Sequence, residues 1–113
     1  MEKLIKNIEH AQPVVLAQQV AYEPGGIADV ELSGRSGVEL RLRALDAGAE
    51  IGTHSGPGDA LACILEGEAL ITVDGAAHRM TAGDAIVFPD GFPHSVRAVT
   101  PFKMLLTVIK QLP

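Results

Sequence analysis

Residues 69–80 read ALITVDGAAHRM and contain the strongest turn signal of the chain, Asp74-Gly75. Asp74 and Gly75 both tolerate the positive φ angles that a two-residue hairpin turn requires, and apolar residues flank them on each side. The stretch therefore predicts two antiparallel strands, Ala69–Val73 and Ala76–Met80, joined by a tight turn.

The same pattern of short strands and turns continues on both sides of this hairpin. Turn signals recur about every 8–12 residues, and no helical pattern lies between strands. Phe102–Ile109 is apolar at nearly every position, which predicts a strand covered on both faces. The sequence thus predicts an all-β, antiparallel sandwich or barrel forming a single domain over residues 1–113. The other predicted strands are Val14–Val20, Ile27–Ser33, Val38–Arg43, Ala60–Leu65, Ala85–Phe88 and His94–Val99.

The first 20 residues form an N-terminal arm in this prediction. Leu4, Ile5 and Ile8 share one face at helical spacing, which predicts a short helix over residues 2–9, before Pro13. The segment has neither the apolar stretch nor the cleavage site of a signal peptide. No apolar run approaches the roughly 20 residues that a membrane-spanning helix needs, so no membrane association is expected.

Composition and charge exclude several classes of protein. Of the 113 residues, 47% are hydrophobic, which is typical of a folded domain and not of a disordered chain. The net charge of -5 opposes nucleic-acid binding, which requires a basic surface. The single cysteine, Cys63, cannot form an internal disulfide, which is typical of a cytoplasmic protein. Because it lies in an apolar strand, we expect its thiol to be buried and inert.

Two stretches resemble the two signature motifs of the cupin superfamily. The resemblance spans about residues 38–110 and implies a small β-barrel of jelly-roll topology, with a pocket lined by histidines. The first stretch runs from Gly48 through His54 to Glu66-Gly67, and the second contains Gly83, Pro89, Gly91 and His94.

The first motif is reduced relative to metal-binding cupins. The resemblance assigns His54 and His94 to ligand positions, but Gly56 stands where a second histidine is expected and Ala60 where a glutamate is expected. Ala98 also replaces the asparagine usual at the end of the second motif. Two of the four expected metal ligands are therefore present, as in a subset of small bacterial single-domain cupins.

A metal site would need a third ligand, for which the sequence offers two candidates. His78 follows the Asp74-Gly75 hairpin and would serve if its strand pointed it inward. Asp59 lies one residue before the expected glutamate, so strand alternation turns it to the opposite face unless Pro57-Gly58 bends the chain. With a third ligand, a divalent ion (Zn, Fe, Mn or Ni) is expected; without one, the pocket is metal-free.

Three functional hypotheses follow. The first is a small-molecule binding protein with His54 and His94 as the polar groups of an apolar pocket. The second is a metal-dependent oxygenase, isomerase or decarboxylase, and the third is metal-free acid/base chemistry by a histidine. The binding protein ranks first because it requires fewer functional groups beyond the two histidines than either kind of enzyme does. The apolar Phe102–Ile109 and Val14–Val20 segments further predict a homodimer.

Overall fold

Nine strands and one short helix make up residues 2–112, the part of the chain that the structure, a computed structural model, describes. The helix is a single 3-10 turn, and none in this range is long and apolar enough to span a membrane. The elements in chain order are the 3-10 turn Leu16–Gln18, β1 (Ile27–Arg35), β2 (Val38–Leu45), β3 (Glu50–His54), β4 (Asp59–Glu66), β5 (Glu68–Val73), β6 (Ala76–Thr81), β7 (Ala85–Phe88), β8 (His94–Ala98) and β9 (Phe102–Ile109).

The strands form two sheets. The five-stranded sheet has the order β1-β2-β9-β4-β7, and the four-stranded sheet has the order β3-β8-β5-β6. Every pairing is antiparallel, so the predicted all-β antiparallel fold is confirmed and is consistent with a jelly roll. Asp74 and Gly75 have φ angles of 48° and 83°, as the predicted hairpin turn between β5 and β6 requires.

Strand β9 lies at the centre of the five-stranded sheet and is buried on both faces, as predicted. Phe102 and Met104 point between the sheets, where they join the main hydrophobic core with Ile71 of β5. Leu105 points to the outer face and packs with a second cluster around Leu42. This arrangement explains why the β9 sequence shows almost no apolar-polar alternation.

The N-terminal arm covers part of the outer face of the five-stranded sheet. Val20 is 4% exposed and packs with Leu32 and Leu42, from β1 and β2. The buried ammonium of Lys103 donates a hydrogen bond to the carbonyl of Ala17 in the arm. The arm is thus held to the sheet by both apolar and polar contacts.

The predicted helix over residues 2–9 is wrong. Asn7 has a φ angle of 68°, outside the right-handed helical region, and the backbone N–H of Lys6 donates to the carbonyl of Leu32 in β1. A helix of eight residues is only marginally stable by itself. Hydrogen bonds to β1 therefore determine the conformation of this segment.

The predicted strand Val14–Val20 is also wrong. The chain instead makes the 3-10 turn Leu16–Gln18 as it crosses the outer face of the sheet. An apolar segment buries its side chains equally well by packing on a sheet face or by pairing within the sheet. Its hydrophobicity alone does not distinguish the two.

Candidate functional site

His54 and His94 meet across two neighbouring strands. His54 ends β3 and His94 begins β8, and the two residues are direct partners in the register of this strand pair. Directly opposed residues share one face of a sheet. The two imidazole rings accordingly pack edge to face, with their centroids 4.3 Å apart. The predicted pairing of these two histidines in space agrees with this geometry.

A backbone hydrogen bond fixes the tautomer of each ring. Nδ1 of His54 lies 2.9 Å from the carbonyl oxygen of Gly52, and Nδ1 of His94 lies 3.1 Å from that of Phe92. A carbonyl oxygen only accepts, so Nδ1 carries the proton in both rings. Nε2 then holds the lone pair in each neutral imidazole and is the nitrogen that can accept a hydrogen bond from a ligand.

The environment of His94 favours its neutral form. Its ring stacks on Phe88 at 4.2 Å between centroids, with an angle of 8° between the planes. Burial lowers the pKa of His94 below its ordinary value, and the neighbouring His54 lowers it further, against an opposing effect of the hydrogen bond to Phe92. His94 is therefore neutral at pH 7.

Both histidines line a pocket of about 190 Å³ between the two sheets. Gly56 and Ala60, the residues that replace two expected metal ligands, also line it. A side chain at either position would occupy part of this volume, so their small size enlarges the pocket beside His54. The other apolar lining residues are Ile51, Phe88, Pro57, Pro89, Val96, Met104, Leu106 and Val108.

Sequence reasoning missed three further pocket residues, all on β2. The alternation in Val38–Arg43 predicts a strand with one face in water, but Glu39, Arg41 and Arg43 of that face line the pocket. The apolar face of β2 packs instead under the N-terminal arm, through Leu42 and Ala44. Two arginines at alternate positions on one strand face are the signal in the sequence that could have identified this wall.

Asp59 lies apart from the histidine pair. Its neighbour Ala60 faces the pocket, so strand alternation turns Asp59 outward. Its carboxylate accepts a hydrogen bond from the backbone N–H of Asp90, and the carboxylate of Asp90 accepts one from the N–H of Gly58. Asp59 therefore joins the two loops at the mouth of the pocket, and Pro57-Gly58 does not redirect it inward.

His78 is also remote from the pair. It lies opposite Ile71 in the register of β6 and β5, and β5 separates β6 from the strand of His94. Two interstrand spacings amount to about 10 Å. His78 is solvent-exposed and is not among the residues that line the pocket.

The donor set does not fit a metal centre of the kinds that two histidines serve. A catalytic zinc takes three protein ligands, and non-haem iron takes two histidines with a carboxylate. Within residues 2–112, no group of three or more His, Cys, Asp and Glu side chains is arranged to hold one ion. His54 and His94 remain a pair of imidazoles on the wall of a mainly apolar pocket.

Comparison with known proteins identifies the family. A conserved protein of unknown function from Streptococcus pyogenes is 42% identical and superposes with a TM-score of 0.95, over 99% of this chain and 98% of that one. A cupin superfamily protein from Desulfitobacterium hafniense is 25% identical, with a TM-score of 0.90 over 95% of this chain and 98% of that one. No curated protein sequence gives a significant match. The family model described as the cupin domain matches residues 41–109, and the chain belongs to the cupin family.

Proposed function

We propose that this cupin binds a small organic molecule in the pocket between its sheets, with His54 and His94 as hydrogen-bonding groups. The observation that carries the proposal is that Nδ1 of each histidine bonds to a backbone carbonyl. Nδ1 of His54 donates to the carbonyl of Gly52 and Nδ1 of His94 donates to the carbonyl of Phe92, which leaves Nε2 of both pocket-lining rings as acceptors. Pockets that combine an apolar lining with a few oriented polar groups are typical of small-molecule sites.

The size of the pocket limits the size of the ligand. A closed cavity of about 150 Å³ accommodates benzene. The pocket here measures about 190 Å³ and is open at its mouth. A ligand of about one ring with a few substituents therefore fits, and a nucleotide does not.

Methionine methyl groups provide the readout for a binding test. Met104 lines the pocket, whereas Met80 lies in the core outside it. In protein labelled with ¹³C at the methionine methyls, a panel of small organic molecules is expected to shift the Met104 signal and leave Met80 in place. Removal of an acceptor, as in His54→Leu or His94→Leu, is expected to weaken binding about fivefold to tenfold.

A matched control uses the third strand histidine. His78→Leu removes an exposed imidazole outside the pocket and is expected to leave binding unchanged. Lowering the pH through the pKa of His94 should also weaken binding, because a protonated Nε2 donates instead of accepting. Equal losses in all three variants, or binders that shift only Met80, would refute the proposal.

The alternative function is that of a metal-dependent enzyme, of oxygenase, isomerase or decarboxylase type. It requires a third ligand beside His54 and His94, but Asp59 bonds to the backbone of Asp90, and β5 lies between the strands of His78 and His94. Elemental analysis after incubation with Zn²⁺, Fe²⁺, Mn²⁺ and Ni²⁺ tests it. One equivalent of metal, lost in both histidine variants, would favour the enzyme over the binding protein.

We further propose that the protein is a homodimer. The arm covers only part of the outer face of the five-stranded sheet. On β4, β7 and β9, that face exposes Leu61 by 39%, Val87 by 48% and Ile109 by 63%. Because β7 is also an edge strand, a second copy of the chain would cover both the apolar face and an unpaired edge.

Light scattering at micromolar concentration tests the dimer. The double substitution Leu61→Lys and Val87→Lys is expected to reduce a dimeric mass to a monomeric one, because it places two like charges in the contact. Val99→Lys, at a residue 38% exposed in the loop after β8, is expected to leave the mass unchanged. A monomeric mass for the unmodified chain would contradict the proposal.

A further inference from the structure

The wall formed by β2 carries an arginine whose bonding capacity is mostly unused. Among residues 2–112, Arg43 makes one polar contact, from Nε to a carboxylate oxygen of Asp29 at 3.4 Å. Its two terminal nitrogens have no protein partner in that range. Arg43 lines the pocket and is directly opposite Met104 in the register of β2 and β9, so the two residues share the inner face.

The neighbouring Arg41 differs in this respect. Its Nε donates to Glu39 at 2.9 Å, its Nη1 donates to Asp29, and its Nη2 lies 3.9 Å from a carboxylate oxygen of Glu31. These ion pairs hold the guanidinium of Arg41 in place. Because Asp29 pairs with Arg41 as well, its single negative charge is shared between Arg41 and Arg43.

The charges around this wall leave a local positive excess. Three carboxylates, Asp29, Glu31 and Glu39, meet four cations, which are Lys6, Arg41, Arg43 and Lys110. The chain as a whole carries a net charge of -5. Three charged residues of β2 line the pocket itself, the cations Arg41 and Arg43 and the carboxylate of Glu39, and this local excess favours a negatively charged ligand.

We infer that the ligand of this pocket is a small organic carboxylate whose carboxyl group binds the terminal nitrogens of Arg43. This inference rests on the proposed function and adds the class of ligand. A guanidinium binds a carboxylate through two parallel hydrogen bonds. The apolar floor of Met104, Leu106 and Val108 then receives the organic part of the molecule, and the Nε2 atoms of His54 and His94 accept from its hydroxyl or N–H groups.

An inorganic anion fits this site less well. Phosphate would satisfy Arg43 but would leave the apolar floor without a partner. The carboxylate also suits the single excess positive charge better than a dianion does. An organic acid is therefore the class of ligand that contacts Arg43, the two histidines and the apolar residues at once.

Matched acid and amide pairs test the inference with the methionine readout. 4-Hydroxybenzoate with 4-hydroxybenzamide, and 6-hydroxyhexanoate with 6-hydroxyhexanamide, keep a hydroxyl donor for the histidines in both members and differ within each pair mainly in charge. Inorganic phosphate is the third arm. The acids are expected to shift Met104 at concentrations about ten- to a hundredfold lower than their amides. Arg43→Gln is expected to abolish this preference, and Arg43→Lys to retain part of it, because lysine keeps the charge and loses the bidentate geometry.

Arg79→Gln is the control, since it removes the same charge from a side chain that is 70% exposed and outside the pocket. It should leave the preference for acids intact. Retention of native far-UV circular dichroism in each variant excludes unfolding as the cause of a loss.

The possible results separate this inference from the proposed function. Equal affinity for acids and amides, an acid preference that survives in Arg43→Gln, or displacement of the acids by phosphate at equal concentration would overturn the carboxylate assignment while binding in the pocket stands. If neither acids nor amides shift Met104, the proposed function fails, and the carboxylate assignment fails with it.

Discussion

Phe102→Ala is expected to lower the free energy of unfolding by about 3–5 kcal/mol. Phe102 is 0% exposed and is among the largest fully buried side chains of the described residues. Its truncation removes apolar contacts in the main core and leaves a cavity between close-packed sheets that relax only in part. Since a domain of this size has a total stability of about 5–15 kcal/mol, this loss is a large fraction of the free energy of unfolding.

Urea denaturation followed by far-UV circular dichroism measures this loss. Phe92→Ala is the matched control, because Phe92 is 42% exposed in the loop before β8. That change should remain within about 0.5 kcal/mol. Similar losses in the two variants would mean that Phe102 does not have the central position in the core that the structure gives it.

Gly67→Ala is expected to destabilise the protein by more than about 3 kcal/mol, through two separate effects. Gly67 has a φ angle of 81°, which is unfavourable for any residue with a Cβ atom. An added Cβ would also lie 2.0 Å from the carbonyl oxygen of Pro101 and 2.7 Å from Cα of Phe102. Both contacts involve backbone atoms, so the turn between β4 and β5 would have to move away from the loop that precedes β9.

The same substitution at Gly75 separates the two effects. Gly75 has a φ angle of 83°, but nothing lies within 4 Å of a Cβ built there. Gly75→Ala should therefore show only the cost of the left-handed conformation, about 1–2 kcal/mol. Thermal or urea unfolding of the two variants in parallel gives the comparison, and equal losses would show that the contact with Pro101 is not limiting.

The predictable part of the fold is the part determined by local sequence signals. Asp74-Gly75 determines a hairpin because few residue pairs adopt two positive φ angles, and the lack of alternation in Phe102–Ile109 requires cover on both faces. The N-terminal arm was not predictable in this way. Its apolar residues satisfy helical spacing as well as strand propensity, and the hydrogen bond from Lys6 to Leu32 in β1 exists only in the folded chain.

Part of the candidate site could also be predicted from the sequence, and part could not. Resemblance to the cupin motifs identified His54 and His94, and the structure adds the register that makes them neighbours. Whether Asp59 could be a third ligand depended on which face of its strand it occupies. Whether His78 could be one depended on the order of strands in the sheet. A chain of strands can be arranged in many orders, and the observed order places β5 between the strands of His78 and His94.

Sequence patterns alone were enough to predict an all-β chain, its main hairpin and its central buried strand, and the resemblance to cupin motifs directed attention to two histidines. Each of these follows from interactions between residues close in sequence or from a motif of fixed spacing. Tertiary packing places the charged face of β2 in the pocket, where the terminal nitrogens of Arg43 have no partner among residues 2–112. The sequence did not predict this because alternation only assigns side chains to the two faces of a strand. The segments that pack against each face are far away in the sequence.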